Sequence, residues 1–249
     1  MQKTNYGNWV SRRLIYFPVI VAAFFLGLCF ISIYFLIGAV ILAVPLAYFS
    51  YAYYKFSPAG GNIQSRVVDL VVSRINWTGN GKALDIGCGN GALAIKVAKK
   101  FAASRVTGID YWGAQWDYAR EVCIRNAEVE GVSERMEFQK ASASSLPFPD
   151  ESFDLAVSNF VFHEVQDTRD KRDVIREALR VVKKGGEFVF QDLFKVKAYY
   201  GDIEELLSTI KSWGVEKAEF IDTSKADFIP GPLRLPFMIG SIGIIRGIK

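Results

Sequence analysis

The stretch ALDIGCGNG, residues 83–91, is a short apolar run that carries an acid, Asp85, and leads into three glycines at alternate positions, Gly87, Gly89 and Gly91. The apolar residues predict a buried strand, and the glycines predict a tight turn into a helix starting near Ala92. Glycine suits such a turn because, lacking a Cβ, it accepts positive φ and lets the backbone lie against a ligand. The turn suits a nucleotide-like cofactor.

Spacing separates the candidate cofactors. A dinucleotide turn reads G-x-G-x-x-G and seats pyrophosphate on the helix N-terminus, whereas this one reads G-x-G-x-G with Ala92 and Leu93 following. No Gly-Lys-Ser/Thr follows, which excludes a Walker loop. Asp85 would repel a phosphate, while a carboxylate beside the turn suits a cofactor carrying a cation. The arrangement resembles motif I of the class I S-adenosylmethionine (SAM) dependent methyltransferases, whose cofactor has an amine and a sulfonium. That resemblance implies a Rossmann-like α/β fold with a seven-stranded sheet in the order 3-2-1-4-5-7-6, and SAM held by Asp85, Gly87, Gly89 and Gly91.

Residues 105–110, RVTGID, read as a second strand ending in an acid. A carboxylate there can accept from both hydroxyls of a ribose, a device that dinucleotide folds share. The resemblance assigns Asp110 to the SAM ribose and places Tyr111 beside it. A helix N-cap is the structural alternative for Asp110. The second specific stretch is ASASSLPFPDESFDLAVSNFVFHEV, residues 141–165. It is similar to the G-D-A-x-x-L-P-F-x-D-x-S-F-D block of a methyltransferase group that includes small-molecule, quinone and sterol methylating enzymes, with Leu146, Pro147, Phe148, Asp150, Ser152, Phe153 and Asp154 matching. It departs at Ser142, beside Ala143, where that group carries an Asp for the adenine amine. A serine can still accept that bond, more weakly than a carboxylate. Residues 153–159 predict a fourth strand, which puts Asn159 at the cofactor and Phe160 and His163 at the methyl acceptor, because ligands of open α/β sheets sit at the carboxyl ends of the strands. His163 is the one histidine in the chain and is the candidate proton acceptor, with packing as the alternative. Glu164 is a candidate to orient it. Asp192, ending a fifth strand over 187–192, is a further candidate for substrate contact.

The 249 residues exceed what one such domain needs, and the excess is apolar. No residue from 14 to 54 is charged, too long a run for the roughly 7–15 apolar residues of a signal peptide. As one helix it would measure about 60 Å, about twice the hydrocarbon core of a bilayer. Cut near Gly38, it predicts a two-helix membrane hairpin over 14–37 and 39–54. Pro18 is then expected in a first turn, and Pro45 as a kink in the second span. Lys3, Arg12 and Arg13 before the run and Lys55 and Arg66 after it place both ends in the cytoplasm by the positive-inside rule. The expected organisation is a membrane anchor over 1–56 and a methyltransferase domain over 57–249, with the linker SPAGG at 57–61.

Further expected elements are helices over 63–75, 92–102, 113–131, 170–183 and 202–213, a strand over 135–140, and a closing antiparallel pair over 215–222 and 241–247. The apolar segment FIPGPLRLPFM, 228–238, reads as a substrate lid or a second membrane contact, with core packing as the alternative. Cys29, Cys88 and Cys123 fit no metal or disulfide spacing. The lysines form no stripe of the kind that binds nucleic acid. The expected partners are the membrane and a hydrophobic or lipid-like small molecule. A soluble thiol or amine acceptor, or a SAM-binding regulator without turnover, stays open.

Overall fold

The computed structural model describes residues 3–113 and 119–249. They form two compact units, one of residues 8–66 and one that joins residues 3–7 with the described residues from 67 onward. In the smaller unit, helix α1 (Arg13–Leu28) and helix α2 (Phe35–Phe56) are joined by residues 29–34. The expected break at Gly38 is corrected: Gly38 lies inside α2, where a Cβ would stand 2.9 Å from the Phe25 ring, so this glycine serves close packing of the two helices. Pro18 likewise lies in the second turn of α1. No residue of α1 is buried, and Phe17, Ile20 and Phe24 on α1 and Ile41 and Val44 on α2 are exposed. Among the described residues α2 alone is long and apolar enough to cross a membrane. At 16 residues, α1 is about 24 Å long against a hydrocarbon core of about 30 Å. Polar groups gather at the base of the hairpin, where Asn8 Nδ2 donates to Tyr53 O (2.9 Å) and Arg12 Nε to the Tyr53 hydroxyl (3.3 Å).

After helix α3 (Ile63–Ser73) the chain alternates strand and helix: β1 (Gly81–Ile86), α4 (Ala92–Lys100), β2 (Ser104–Asp110), α5 (Arg120–Val129), β3 (Met136–Lys140), β4 (Phe153–Asn159), α6 (Lys171–Arg180), β5 (Val182–Asp192), α7 (Lys197–Tyr200), α8 (Ile203–Ser212), β6 (Lys217–Asp222) and β7 (Gly243–Ile248). The sheet order is β3-β2-β1-β4-β5-β7-β6, as the resemblance implied. The first five strands are parallel, and β7 runs antiparallel between β5 and β6. The inner strands β1 and β4 are apolar runs buried on both faces, the pattern of a parallel sheet covered by helices. Edge strand β6 instead carries Lys217, Glu219 and Asp222 exposed, which blunts pairing with other chains. In the core Phe162, Phe188, Phe190, Phe194, Tyr200 and Leu206 are fully buried.

The long helix expected over 113–131 is shorter: Gly113 is not helical, residues 114–118 lie outside the described residues, and α5 begins at Arg120. The 228–238 segment is partly core. Ile229 and Leu233 are buried, while Leu235 and Phe237 are exposed, Phe237 at 66%.

Candidate active site

The glycine turn is held at the carboxyl end of the sheet by the strands beside it. The Gly87 and Cys88 N–H groups both donate to Ile109 O at 2.8 Å, and Gly91, at φ +84°, caps α4. Gly87 has φ +73°, and a Cβ there would collide with the Val161 side chain, so the loop after β4 closes directly on the turn. Gly89 is held from three sides: its N–H donates to Asp110 Oδ2 (2.8 Å), and its carbonyl accepts from Trp112 Nε1 (2.9 Å) and Cys123 Sγ (3.0 Å). Asp110 Oδ1 accepts from the Trp112 N–H (2.8 Å). The Tyr111 N–H also bonds this carboxylate, whose roughly four lone-pair sites leave capacity to accept from a ribose hydroxyl. Burial raises the Asp110 carboxyl above its ordinary value, with backbone N–H groups opposing.

Asp85 is 1% exposed and accepts from the Ala94 N–H in the first turn of α4 (2.8 Å). Burial pushes its carboxyl up to about 8, against that N–H, and Asp110 adds to the rise. Its Oδ1 and the Nδ2 of Asn90 are buried with no hydrogen-bond partner among the described residues. Orphaned buried polar atoms are costly in a folded protein without a ligand to meet them, and an acceptor and a donor among them suit the amino-acid end of SAM. Asn126, fully buried on α5, braces the turn from behind by donating from Nδ2 to Asn90 O and to Asn5 O, both 2.9 Å. Neither Asn126 nor Trp112 carries a motif signal in the sequence.

At the far end of the turn Ala143 is buried, whereas Tyr111 is 65% exposed and its ring lies 5.2 Å from Lys140 Nζ. The Ser142 hydroxyl lies 2.8 Å from that of Ser144 and 3.0 Å from Asp167 Oδ2, which also accepts from Ser144 Oγ (2.7 Å).

The loop after β4 builds the other side. Asn159 Oδ1 accepts from Gln191 Nε2 (2.8 Å). Phe160 sits at φ +60°, a costly conformation for an aromatic residue, fixed by donation of its N–H to Gln191 O (2.8 Å). His163 Nδ1 lies 2.5 Å from Asp192 Oδ1, and the Phe160 and Tyr199 rings flank it at 6.2 and 6.1 Å. Asp192 as a substrate contact is corrected: it is 0% exposed, Oδ1 also accepts from the Leu193 N–H, and Oδ2 accepts from the Val161 and Phe162 N–H groups. It orients His163. Glu164, at 3.9 Å from Nε2, is the outer neighbour. Burial works against protonation of His163, but the Asp192 carboxylate outweighs it and Glu164 adds, so the imidazole titrates above its ordinary value. Tyr199 comes from the single turn α7, too short for periodicity to reveal.

Residues 84–190 match the model of the Methyltransferase domain family. The 27-O-demethylrifamycin SV methyltransferase of Amycolatopsis mediterranei is 33% identical over 137 residues, 55% of this chain and 47% of that protein. The ubiquinone/menaquinone biosynthesis C-methyltransferase of Rickettsia massiliae is 34% identical over 125 residues, 49% of this chain and 48% of that protein. The chain thus spans about half the length of these curated relatives. A solved geranyl diphosphate methyltransferase in complex with SAM shares the fold at TM-score 0.58 and 16% identity, over 76% of this chain and 86% of that one. The glycine turn and the sheet order agree with the family match, and the similarity to SAM-dependent methyltransferases is carried by residues 84–190.

Proposed function

We propose that the protein transfers a methyl group from SAM to a hydrophobic or lipid-like small molecule that it meets at a membrane, with residues 1–56 as anchor and 57–249 as catalytic domain. The observation that carries this reading is the uncharged run over residues 14–54 in the same chain as the methyltransferase domain. Its apolar side chains point outward from α1 and α2 in numbers that water does not favour. The hairpin is read as membrane-embedded with both ends cytoplasmic, where SAM is made. Rifamycin and quinone methylation by the relatives supports an apolar acceptor.

Bound SAM supplies a methyl group already activated on a sulfonium. The chain therefore needs to align donor and acceptor and to remove a proton where the acceptor carries one. The backbone of Gly87, Gly89 and Gly91, with Asp110, would hold the nucleoside, and Asp85 and Asn90 its amino-acid end. Phe160 and Tyr199 would shape the acceptor site. With Nδ1–H donated to Asp192, Nε2 of His163 is the proton acceptor, a tautomer assigned from the hydrogen-bond network.

The test is methyl transfer from labelled SAM into extracted membranes, fractionated by polarity. Label is expected in an apolar fraction, and the protein should stay in the pellet after alkaline carbonate washing. Label confined to a water-soluble thiol or amine would reduce the anchor to a matter of location. SAM binding with no transfer to any fraction would make the domain a regulator.

A further inference from the structure

The departure at Ser142 leaves the start of the loop after β3 without an acid at the position where the resemblance expects one. An acid reaches it from elsewhere in the chain: Asp167, between β4 and α6, lies 3.0 Å from Ser142 Oγ and 2.7 Å from Ser144 Oγ. We propose that Asp167, acting through Ser142, is the positioning residue that makes the cofactor site select a purine bearing an amine over one bearing a carbonyl. This rests on the reading of Ser142 as the residue facing the adenine.

Ser142 Oγ has one proton and two lone pairs. The proton goes to Asp167 Oδ2, and one lone pair accepts from the Ser144 N–H at 3.3 Å. The Ser144 hydroxyl, 2.8 Å away, sends its own proton to the same Asp167 oxygen and has none for Ser142, so the second lone pair stays open to accept, with no proton left to offer in its place. An adenine amine is a donor and satisfies it. The carbonyl of hypoxanthine is an acceptor and would face a lone pair. Without Asp167 the hydroxyl can rotate and donate, so the discrimination is lost. The carboxylate is held ionised to do this, because the Ser144 hydroxyl bond, against a little burial, and then the Ser142 bond keep it below the ordinary aspartate range. Hydrogen bonds polarised by a charged neighbour are also stronger than neutral ones. A charge on the loop after β3 is thereby replaced by a charge one hydroxyl away.

Asp167 is exposed, so its replacement removes no core contact. The full chain in detergent would be titrated calorimetrically with S-adenosylhomocysteine and with its deaminated form, S-inosylhomocysteine. Wild type is expected to prefer the adenosyl ligand by about tenfold or more, the scale of one charge-assisted hydrogen bond made or lost. In Asp167→Ala the preference should fall to within about threefold, chiefly through weaker adenosyl binding, with inosyl binding held or improved. Ser142→Ala, which leaves Asp167 in place, should lose the preference equally. Asp167→Ala combined with Ser142→Asp should restore it. A preference unchanged in Asp167→Ala, or two ligands weakened by the same factor, overturns the proposal and leaves Asp167 a loop tie. If wild type binds neither ligand, the cofactor reading itself fails, and that outcome is distinct from the others.

Discussion

Replacing His163 by Asn removes the one ring nitrogen in the site that can take a proton while keeping an amide N–H to donate to Asp192. The geometry sets the size of the effect. Nδ1 is committed to Asp192 Oδ1 at 2.5 Å, which leaves Nε2 as the acceptor, and general base catalysis is worth roughly 10²–10⁴ in rate. His163→Asn should therefore lower methyl transfer to a protonated acceptor by about 10²-fold or more, with SAM affinity held within about threefold, since the histidine is placed at the acceptor and not at the cofactor. The pH profile adds a second readout. The base works neutral, so activity rises with pH through the His163 titration, which Asp192 raises above the ordinary imidazole value against the effect of burial. That acidic limb should vanish in His163→Asn and move to lower pH in Asp192→Asn. The same shift has a stability side: a raised histidine contributes stability that is full below its unfolded value near 6.5 and is lost as pH rises through the folded one. Asp192→Asn should also be the less stable variant. Four donors converge on the Asp192 carboxylate, from His163, Leu193, Val161 and Phe162. Either orientation of an amide turns its NH₂ toward some of them, at about 1–3 kcal/mol for each group left unmet. Single-turnover methyl transfer across pH, with thermal melts of the same samples, measures all of this. A rate loss below about tenfold with the acidic limb intact would refute the role of base and leave His163 as part of the aromatic wall with Phe160 and Tyr199.

Gly87 and Gly91 both have positive φ, but only at Gly87 would a Cβ strike a neighbour, Val161, while at Gly91 the nearest atoms stand at 3.4–3.5 Å. Gly91→Ala should cost only backbone strain, about 1–2 kcal/mol in a melt, whereas Gly87→Ala should displace the loop of Phe160 and His163 and abolish transfer. Equal effects of the two would contradict the close approach. Asp110→Ala deletes the proposed ribose acceptor and its backbone hydrogen bonds, and calorimetry should show SAM binding weakened by about 1.5–3 kcal/mol; unchanged affinity would remove Asp110 from the cofactor site. Asp85, held near 8 by burial, binds its proton more tightly folded than unfolded, so it subtracts stability progressively from about pH 4 to pH 8. Asp85→Asn should flatten that slope in melts taken across the range, and a mutant that steepens it would show the carboxylate to be stabilised by something other than its Ala94 bond.

What could be read in advance was what the chain encodes locally. The alternate glycines, and the acids at the ends of β1 and β2, each lie within one turn or one strand, and the turn and both strands formed where the spacing put them. The misplaced features depend on partners far away in sequence. Gly38 has the composition of a break, yet its effect is decided by Phe25 on the neighbouring helix, and a run apolar on every side gives no periodicity from which to locate a turn. Asp192 reads as an acid at a strand end, the position that ligands occupy, and only the convergence of Val161, Phe162, Leu193 and His163 on its carboxylate turns it into a support. Asp167 shows the same rule in reverse, an unremarked loop acid that gains a role because Ser142 lies 3.0 Å away. The buried acids thus divide by how their oxygens are used. Asp192 has its oxygens filled by the protein and acts through His163. Asp85 keeps one oxygen unmet at the glycine turn, and an unmet buried acceptor beside a cofactor loop is where a cationic ligand gains most from binding.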